Sequence, residues 1–174
     1  MFWLAQNLDT RSDLLENQFT EIERKFLIDR LPTSLPMLER KEVYQAYLSI
    51  DPEVRIRRNV VEGIDVSYYI AIKSNGELIR REVEIPISKE YFYALADMVE
   101  RPFIKKDFSI YDIDGLILEC SHVDKGTDTE FMYAEVEFQS VEDANNFVPP
   151  SICKMDVTND PLYKMKNYWK RTRN

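Results

Sequence analysis

Thr20-Glu21-Ile22-Glu23-Arg24-Lys25-Phe26-Leu27-Ile28 is the stretch whose reading decides the fold. With a strand's period of two, Glu21, Glu23 and Lys25 fall on one face, and Ile22, Phe26 and Ile28, interrupted by Arg24, on the other. A strand rises about 3.3 Å per residue, so the two carboxylates stand roughly 7 Å apart, close enough to share a cation, with an ammonium one step further along. A solvated face of an antiparallel sheet alternates in the same way. Only repetition of the pattern in other strands gives it a functional meaning.

The pattern does repeat. Further strand signals lie over 44–50, 54–60, 67–74, 79–87, 103–111, 116–123 and 132–139, which brings the count to eight. They are joined by turn sequences at Asp51-Pro52, Glu62-Gly63, Asn75-Gly76 and Asp112-Ile113-Asp114-Gly115. Asn75-Gly76 reads as a hairpin turn with positive φ at both positions. Helices are expected over 89–100 behind an N-cap at Ser88, over 141–147 ahead of Pro149-Pro150, and after Asp160-Pro161. The breaker-rich segment from Leu31 to Pro36 opens onto a short helix through Glu42. Leu4, Leu8, Leu15 and Phe19 stand at loosely helical intervals, so residues 1–19 are expected to be an extension with a short amphipathic helix, and 20–174 a single domain.

Alternate residues of these strands collect Glu21, Glu23 and Lys25; Arg55 and Arg57; Lys73; Arg80, Glu82 and Glu84; Lys105 and Asp107; Glu119; and Glu135 and Glu137. The opposite faces collect Val54 and Ile56, Ile70 and Ile72, Val83 and Ile85, Phe108 and Ile110, Leu118 and Cys120, and Val136 and Phe138. Two architectures fit: a sandwich with its charges in water, or a closed barrel with a charged lumen and helices packed outside. Periodicity alone favours the sandwich. Carboxylates at i, i+2 in three strands, with Arg and Lys in others, are what a cavity for a metal and a polyphosphate needs. Mg²⁺ or Mn²⁺ takes oxygen ligands and shares them with phosphates. Arg55, Arg57 and Arg80 suit bidentate phosphate contacts, and Lys25, Lys73 and Lys105 act as point charges.

Composition narrows the alternatives. With 174 residues, 44% of them hydrophobic, the chain can bury one sizeable core. A net charge of -8 argues against nonspecific binding to nucleic acid or to an anionic membrane. Cys120, Cys153 and His122 do not make a structural zinc site, and no apolar run is long enough for a membrane span, so a reducing cytoplasm is the expected location. His122 lies on the face opposite Glu119, where a structural or solvent-facing role is expected. Leu162, Met165 and Trp169 read as core contacts. Lys164, Lys166, Lys170, Arg171 and Arg173 read as a solvated helix face that could alternatively close over a substrate.

Glu21-Ile22-Glu23-Arg24-Lys25 resembles the ExExK strand of the triphosphate tunnel metalloenzymes, the CYTH superfamily. The resemblance continues in order through Arg55-Ile56-Arg57, Ile72-Lys73-Ser74, Arg80-Arg81-Glu82-Val83-Glu84 and Glu135-Val136-Glu137, over residues 20 to about 170. It implies an α+β, mainly antiparallel β fold: an eight-stranded closed tunnel. The implied activity is that of an inorganic triphosphatase, with Mg²⁺ or Mn²⁺ as cofactor, tripolyphosphate cleaved to pyrophosphate and phosphate, and nucleoside triphosphates as weaker substrates. The molecule would be a monomer or homodimer. The resemblance assigns catalysis to Glu21, Glu23 and Lys25, phosphate contacts to Lys25, Arg55, Arg57, Lys73, Arg80 and Lys105, and the metal side to Glu21, Glu23, Glu82, Glu84, Glu119, Glu135 and Glu137. Alternatives within it are a tunnel that binds polyphosphate or nucleotide without turnover, an adenylate cyclase and a thiamine triphosphatase. The departures are Asp107 for a family arginine, Phe108 for tyrosine, Ser121 for aspartate, Ala71 for a hydroxyl residue, and Leu162 and Met165 near the C-terminus.

Overall fold

A computed structural model describes residues 19–173. The expected helix over 1–18 lies outside the described residues. The strands are β1 (Thr20–Leu27), β2 (Met37–Ile50), β3 (Glu53–Val61), β4 (Ile64–Lys73), β5 (Ile79–Pro86), β6 (Ile104–Ile113), β7 (Leu116–Val123), β8 (Phe131–Glu137) and a short β9 (Met155–Asp156). The helices are α1 (Lys89–Ala96), α2 (Val141–Asn146) and α3 (Met165–Thr172), with a 3-10 turn at Pro161–Tyr163.

Eight of the strands close on themselves. Going round, the order is β5, β4, β3, β2, β6, β7, β8, β1, and β1 pairs again with β5. Closure is possible because β1 serves two partners along its length: Thr20, Glu21 and Ile22 face β5, and Glu23 to Leu27 face β8. A barrel has no open edges, and the sandwich alternative is thereby excluded. Two hairpins are set by positive φ, at Glu62-Gly63 (51° and 79°) and Asp114-Gly115 (56° and 89°), where the turn's twist matches that of the strands.

Two local expectations fail. Neither Asn75 nor Gly76 takes positive φ. The glycine is needed there for room, since a Cβ would run into the Ile79 carbonyl oxygen. Residues 37–42 are strand, not helix, because β2 runs on to pair Lys41 with Phe108 and Glu42 with Asp107 of β6. The α1 helix starts as expected, the Ser88 hydroxyl accepting from the Tyr91 amide at 3.3 Å, but ends at Ala96.

Apolar residues pack outside the barrel and across one of its ends. On the outside, Phe92 of α1 lies against Tyr68, ring centroids 5.2 Å apart. Ile28, Leu118, Cys120, Val136 and Phe138 gather beneath Ala144 of α2. Arg24, the exception on β1's apolar face, is accounted for: its guanidinium donates to Asp156 and to the carbonyls of Ala144 and Phe147, clasping the segment that crosses it. At one end, Ile104, Tyr47, Val123 and Tyr133 form a core with Met165, Tyr168 and Trp169. Tyr47 stacks on Trp169 at 5.8 Å and Phe131 on Tyr168 at 5.2 Å. The expected solvated face of α3 is only partly one. Arg173 is drawn in by the buried Asp124 at 2.5 Å, and Lys164 donates to the Gly76 carbonyl.

Candidate functional site

The strand alternation aims one set of side chains into a single cavity of about 700 Å³. Twelve of the thirteen residues expected at the site line it: Glu21, Glu23 and Lys25 from β1, Arg55 and Arg57 from β3, Lys73 from β4, Arg80, Glu82 and Glu84 from β5, Glu119 from β7, and Glu135 and Glu137 from β8.

The thirteenth, Lys105, does not. Its ammonium points outward and pairs with Glu42 at 2.6 Å, its side chain 45% exposed. Lys106 takes the inward position and donates to the Tyr133 hydroxyl at 2.7 Å. The phase of β6 is thus one residue away from the expectation: Lys106 and Phe108 line the lumen, and Lys105 and Asp107 do not. The Asp107 carboxylate therefore brings no charge reversal into the cavity. Ser121 does keep the inward phase, opposite Phe108. Glu53, Glu77, Tyr47, Tyr133 and Thr158 also line the cavity and were not singled out, and Lys164, expected on a solvated face that could close over a substrate, lines it too. Glu53 stood just before Arg55 in the same alternation and was readable there. Tyr133 and Tyr47 look like ordinary core residues in sequence, and Lys164 reaches the lumen only through the fold of the C-terminus.

The lumen charges pair in an ordered way. Arg80 bridges Glu21 and Glu23, at 2.5 and 2.6 Å. Lys73 contacts Glu21 at 3.1 Å and Glu82 at 2.6 Å. Arg55 holds Glu82 at 3.1 Å, Arg57 holds Glu84 at 2.5 Å, and Lys25 holds Glu135 at 2.8 Å. Lys25 is fixed further by the Tyr163 carbonyl at 3.3 Å and by the face of the Tyr133 ring. Oxygens of Glu21, Glu23 and Glu137 come within 4.8 Å of one another, a spacing one cation can bridge.

Burial and neighbours push these groups apart in acidity. Burial alone would raise Glu21, but Lys73 and Arg80 hold its carboxyl well below the usual range. Burial, reinforced by Glu135, pushes Glu23 up to about 8. Glu119 is pushed up to about 7 by burial and by Glu135 and Glu137. Glu137 is raised by burial and by Glu21. Glu135 is lowered: burial is outweighed by Lys25 and Lys106. Burial pushes Lys106 well below the usual range for lysine, against the pull of Glu135, with Arg55 and Lys25 adding to the shift. The walls carry nine carboxylates against seven Lys and Arg side chains, so an incoming polyanion would meet a surplus of negative charge unless a cation comes with it.

Comparison with known proteins agrees with this geometry. The chain is 35% identical over 151 residues to an inorganic triphosphatase of Nitrosomonas europaea (strain ATCC 19718 / CIP 103999 / KCTC 2705 / NBRC 14298), a match spanning 84% of this chain and 95% of that protein. Among solved structures, the crystal structure of the inorganic triphosphatase NE1496 matches with a TM-score of 0.56 at 30% identity, over 85% of this chain and 93% of that one. The crystal structure of the hypothetical protein NE1496 matches with a TM-score of 0.57 at 30% identity, over 85% and 96%. No family profile matches the chain.

Proposed function

The chain belongs to the CYTH superfamily, on its inorganic-triphosphatase side, and from that premise we propose that it hydrolyses a linear inorganic triphosphate to pyrophosphate and phosphate with a divalent cation, nucleoside triphosphates being weaker substrates. The observation that carries this reading is the arrangement of one lumen in which Arg and Lys side chains alternate with carboxylates, three of which converge within 4.8 Å.

The donor set fits a hard divalent cation. Glu21, Glu23 and Glu137 offer oxygen only, which suits Mg²⁺ or Mn²⁺. A cation there would offset the repulsion and burial that raise Glu23 and Glu137. Glu82, Glu84, Glu119 and Glu135 lie outside that trio and serve as supporting charges. When bound, the cation supplies neutralisation of phosphate charge and a water of lowered pKa.

The chain's own residues do the rest. A triphosphate entering the lumen competes with the carboxylates for Arg55, Arg57, Arg80 and Lys73, and phosphate oxygens replace Glu82 and Glu84 in those forks. The displaced carboxylates lose their neutralising partners and favour a cation nearby, so substrate and cation favour each other's binding. Lys25, over the face of Tyr133, and Lys106, on its hydroxyl, are placed to meet phosphate, and the incoming charge makes protonation of Lys106 favourable. Glu23 offers one oxygen to the cation and is placed to accept a proton from the attacking water on the other. Of the departures that motivate a tunnel binding without turnover, Asp107 lies outside the lumen, while Ser121 keeps the inward phase and Met165 lines the cavity.

The test is phosphate release from tripolyphosphate and from ATP, with Mg²⁺, with Mn²⁺ and with EDTA. Cation-dependent release that is faster on tripolyphosphate and at least about a hundredfold weaker in Glu23→Gln is the expected result. Absence of cation-dependent release on both substrates would overturn the proposal.

A further inference from the structure

The barrel's apolar exterior is covered over most of its circumference. The α1 helix lies on β3 and β4, and α2 with the segment leading to β9 lies on β1, β7 and β8. Among the described residues, that cover stops at the β4–β5 wall. There Ile72 stands opposite Val83, Ile70 opposite Ile85, and Val54 of β3 adjoins Ile72. Ile72, Ile85 and Ile79 are 41%, 44% and 46% exposed. They face outward because Lys73, Glu84 and Arg80, their neighbours in sequence, face the lumen.

We propose that residues 1–18 of the same chain pack on this wall and complete the barrel's outer coat. The place where the described chain begins supports this occupant: the Phe19 carbonyl accepts from the Glu82 amide at 2.8 Å, and Thr20 stands opposite Arg81, so the described chain begins beside β5 itself. Its composition supports it too, with Phe2, Trp3, Leu4, Leu8 and Leu15 set among polar residues. Reach is not limiting, because 18 residues span about 27 Å even as a helix and the wall is two strands about 5 Å apart. A second copy of the chain is a poorer fit. A stable interface takes about 800 Å² from each partner, and three half-exposed isoleucines with their shielded neighbours fall well short.

Trp3 reports on the contact. Trp169 is the other tryptophan, buried in the end core, and its signal is removed by subtracting the spectrum of Trp3→Phe. In the full chain, Trp3 should emit at shorter wavelength and be quenched by acrylamide several-fold less than in urea. Ile85→Glu should abolish that shielding, while the Trp169 emission confirms an intact barrel. Leu8→Glu, which leaves the barrel untouched, should abolish it equally. Three results would overturn the proposal: Trp3 as exposed in the native chain as in urea, shielding that survives both substitutions, or shielding that disappears on dilution, which would assign the wall to a second copy. None of these readouts depends on hydrolysis.

Discussion

At the scale of single residues, the pair Lys105-Lys106 carries the sharpest consequence. Lys106 is buried against Tyr133 inside the lumen and Lys105 meets Glu42 outside it, so they have opposite predictions despite being adjacent and chemically identical. Lys106→Ala should lower kcat/KM on tripolyphosphate by about tenfold or more, the worth of one charge-assisted phosphate contact. Lys105→Ala should stay within about twofold, since an exposed pair is worth under about 1 kcal/mol. Equal losses in steady-state assays of both variants would return β6 to the other phase. The three charged residues Lys105, Lys106 and Asp107 make that phase ambiguous on alternation alone, and a one-residue slip inverts every side chain. The deciding signal lay in the neighbouring turn. With Asp114-Gly115 as a two-residue loop, Ile113 pairs with Leu116, which sets Glu119 opposite Ile110, and opposite residues share a face. Glu119 inward therefore requires Ile110, Phe108 and Lys106 inward. By contrast, Glu21, Glu23, Lys25 and the charges of β3, β5 and β8 were legible directly, because each stands in a strand whose other face is plainly apolar.

At the scale of elements, the C-terminal helix was foreseen but its task was not. Amphipathic spacing marks Met165 and Trp169 as core contacts without saying what they touch, since their partners Tyr47, Ile104 and Tyr133 lie far away in sequence. The anchor holding α3 in place is Asp124, at positive φ and 7% exposed. Its carboxylate accepts from the Lys105 amide at 3.0 Å and, at 2.5 Å each, from the Tyr168 hydroxyl and the Arg173 guanidinium. A buried carboxylate with three donors fixes both the turn after β7 and the end of the helix. Asp124→Ala takes the counter-charge from the Arg173 guanidinium and an acceptor from the Tyr168 hydroxyl, leaving them the Pro102 and Phe103 carbonyls and Thr129, at a cost of about 3 kcal/mol. For a chain of this size, the melting temperature should fall by roughly 6–12 °C, with a red shift of Trp169 emission as α3 loosens. A melting temperature within about 2 °C of the parent would show that the helix is held by its apolar face alone.

At the scale of the whole molecule, the lumen's surplus of carboxylates couples stability to pH. Glu23 at about 8 and Glu119 at about 7 both lie above the 4.5 usual for a free glutamate, so the folded, cation-free barrel binds protons that the unfolded chain has released. Their contribution is fully present below the usual value and is lost as pH rises through about 7 and about 8. Glu21 and Glu135, held low by their lysines and arginines, act in the opposite sense, but their contribution changes only as pH falls below the usual carboxyl range. Lys106, driven below the usual lysine range, opposes Glu23 and Glu119, so in urea titrations with EDTA the decline in unfolding free energy as pH rises from about 5 to about 8 should be read in Lys106→Met, where that opposing group is gone. Glu119→Gln cannot titrate and should flatten the decline below about pH 7, leaving the share due to Glu23, which alone continues to about 8. Divalent cation and tripolyphosphate together should abolish most of the slope, because the carboxylates then face positive charge in place of one another. Stability that rises across this window, or a slope unchanged in both Glu119→Gln and Glu23→Gln, would mean that the lumen is wetter than its geometry implies and that its carboxylates do not repel.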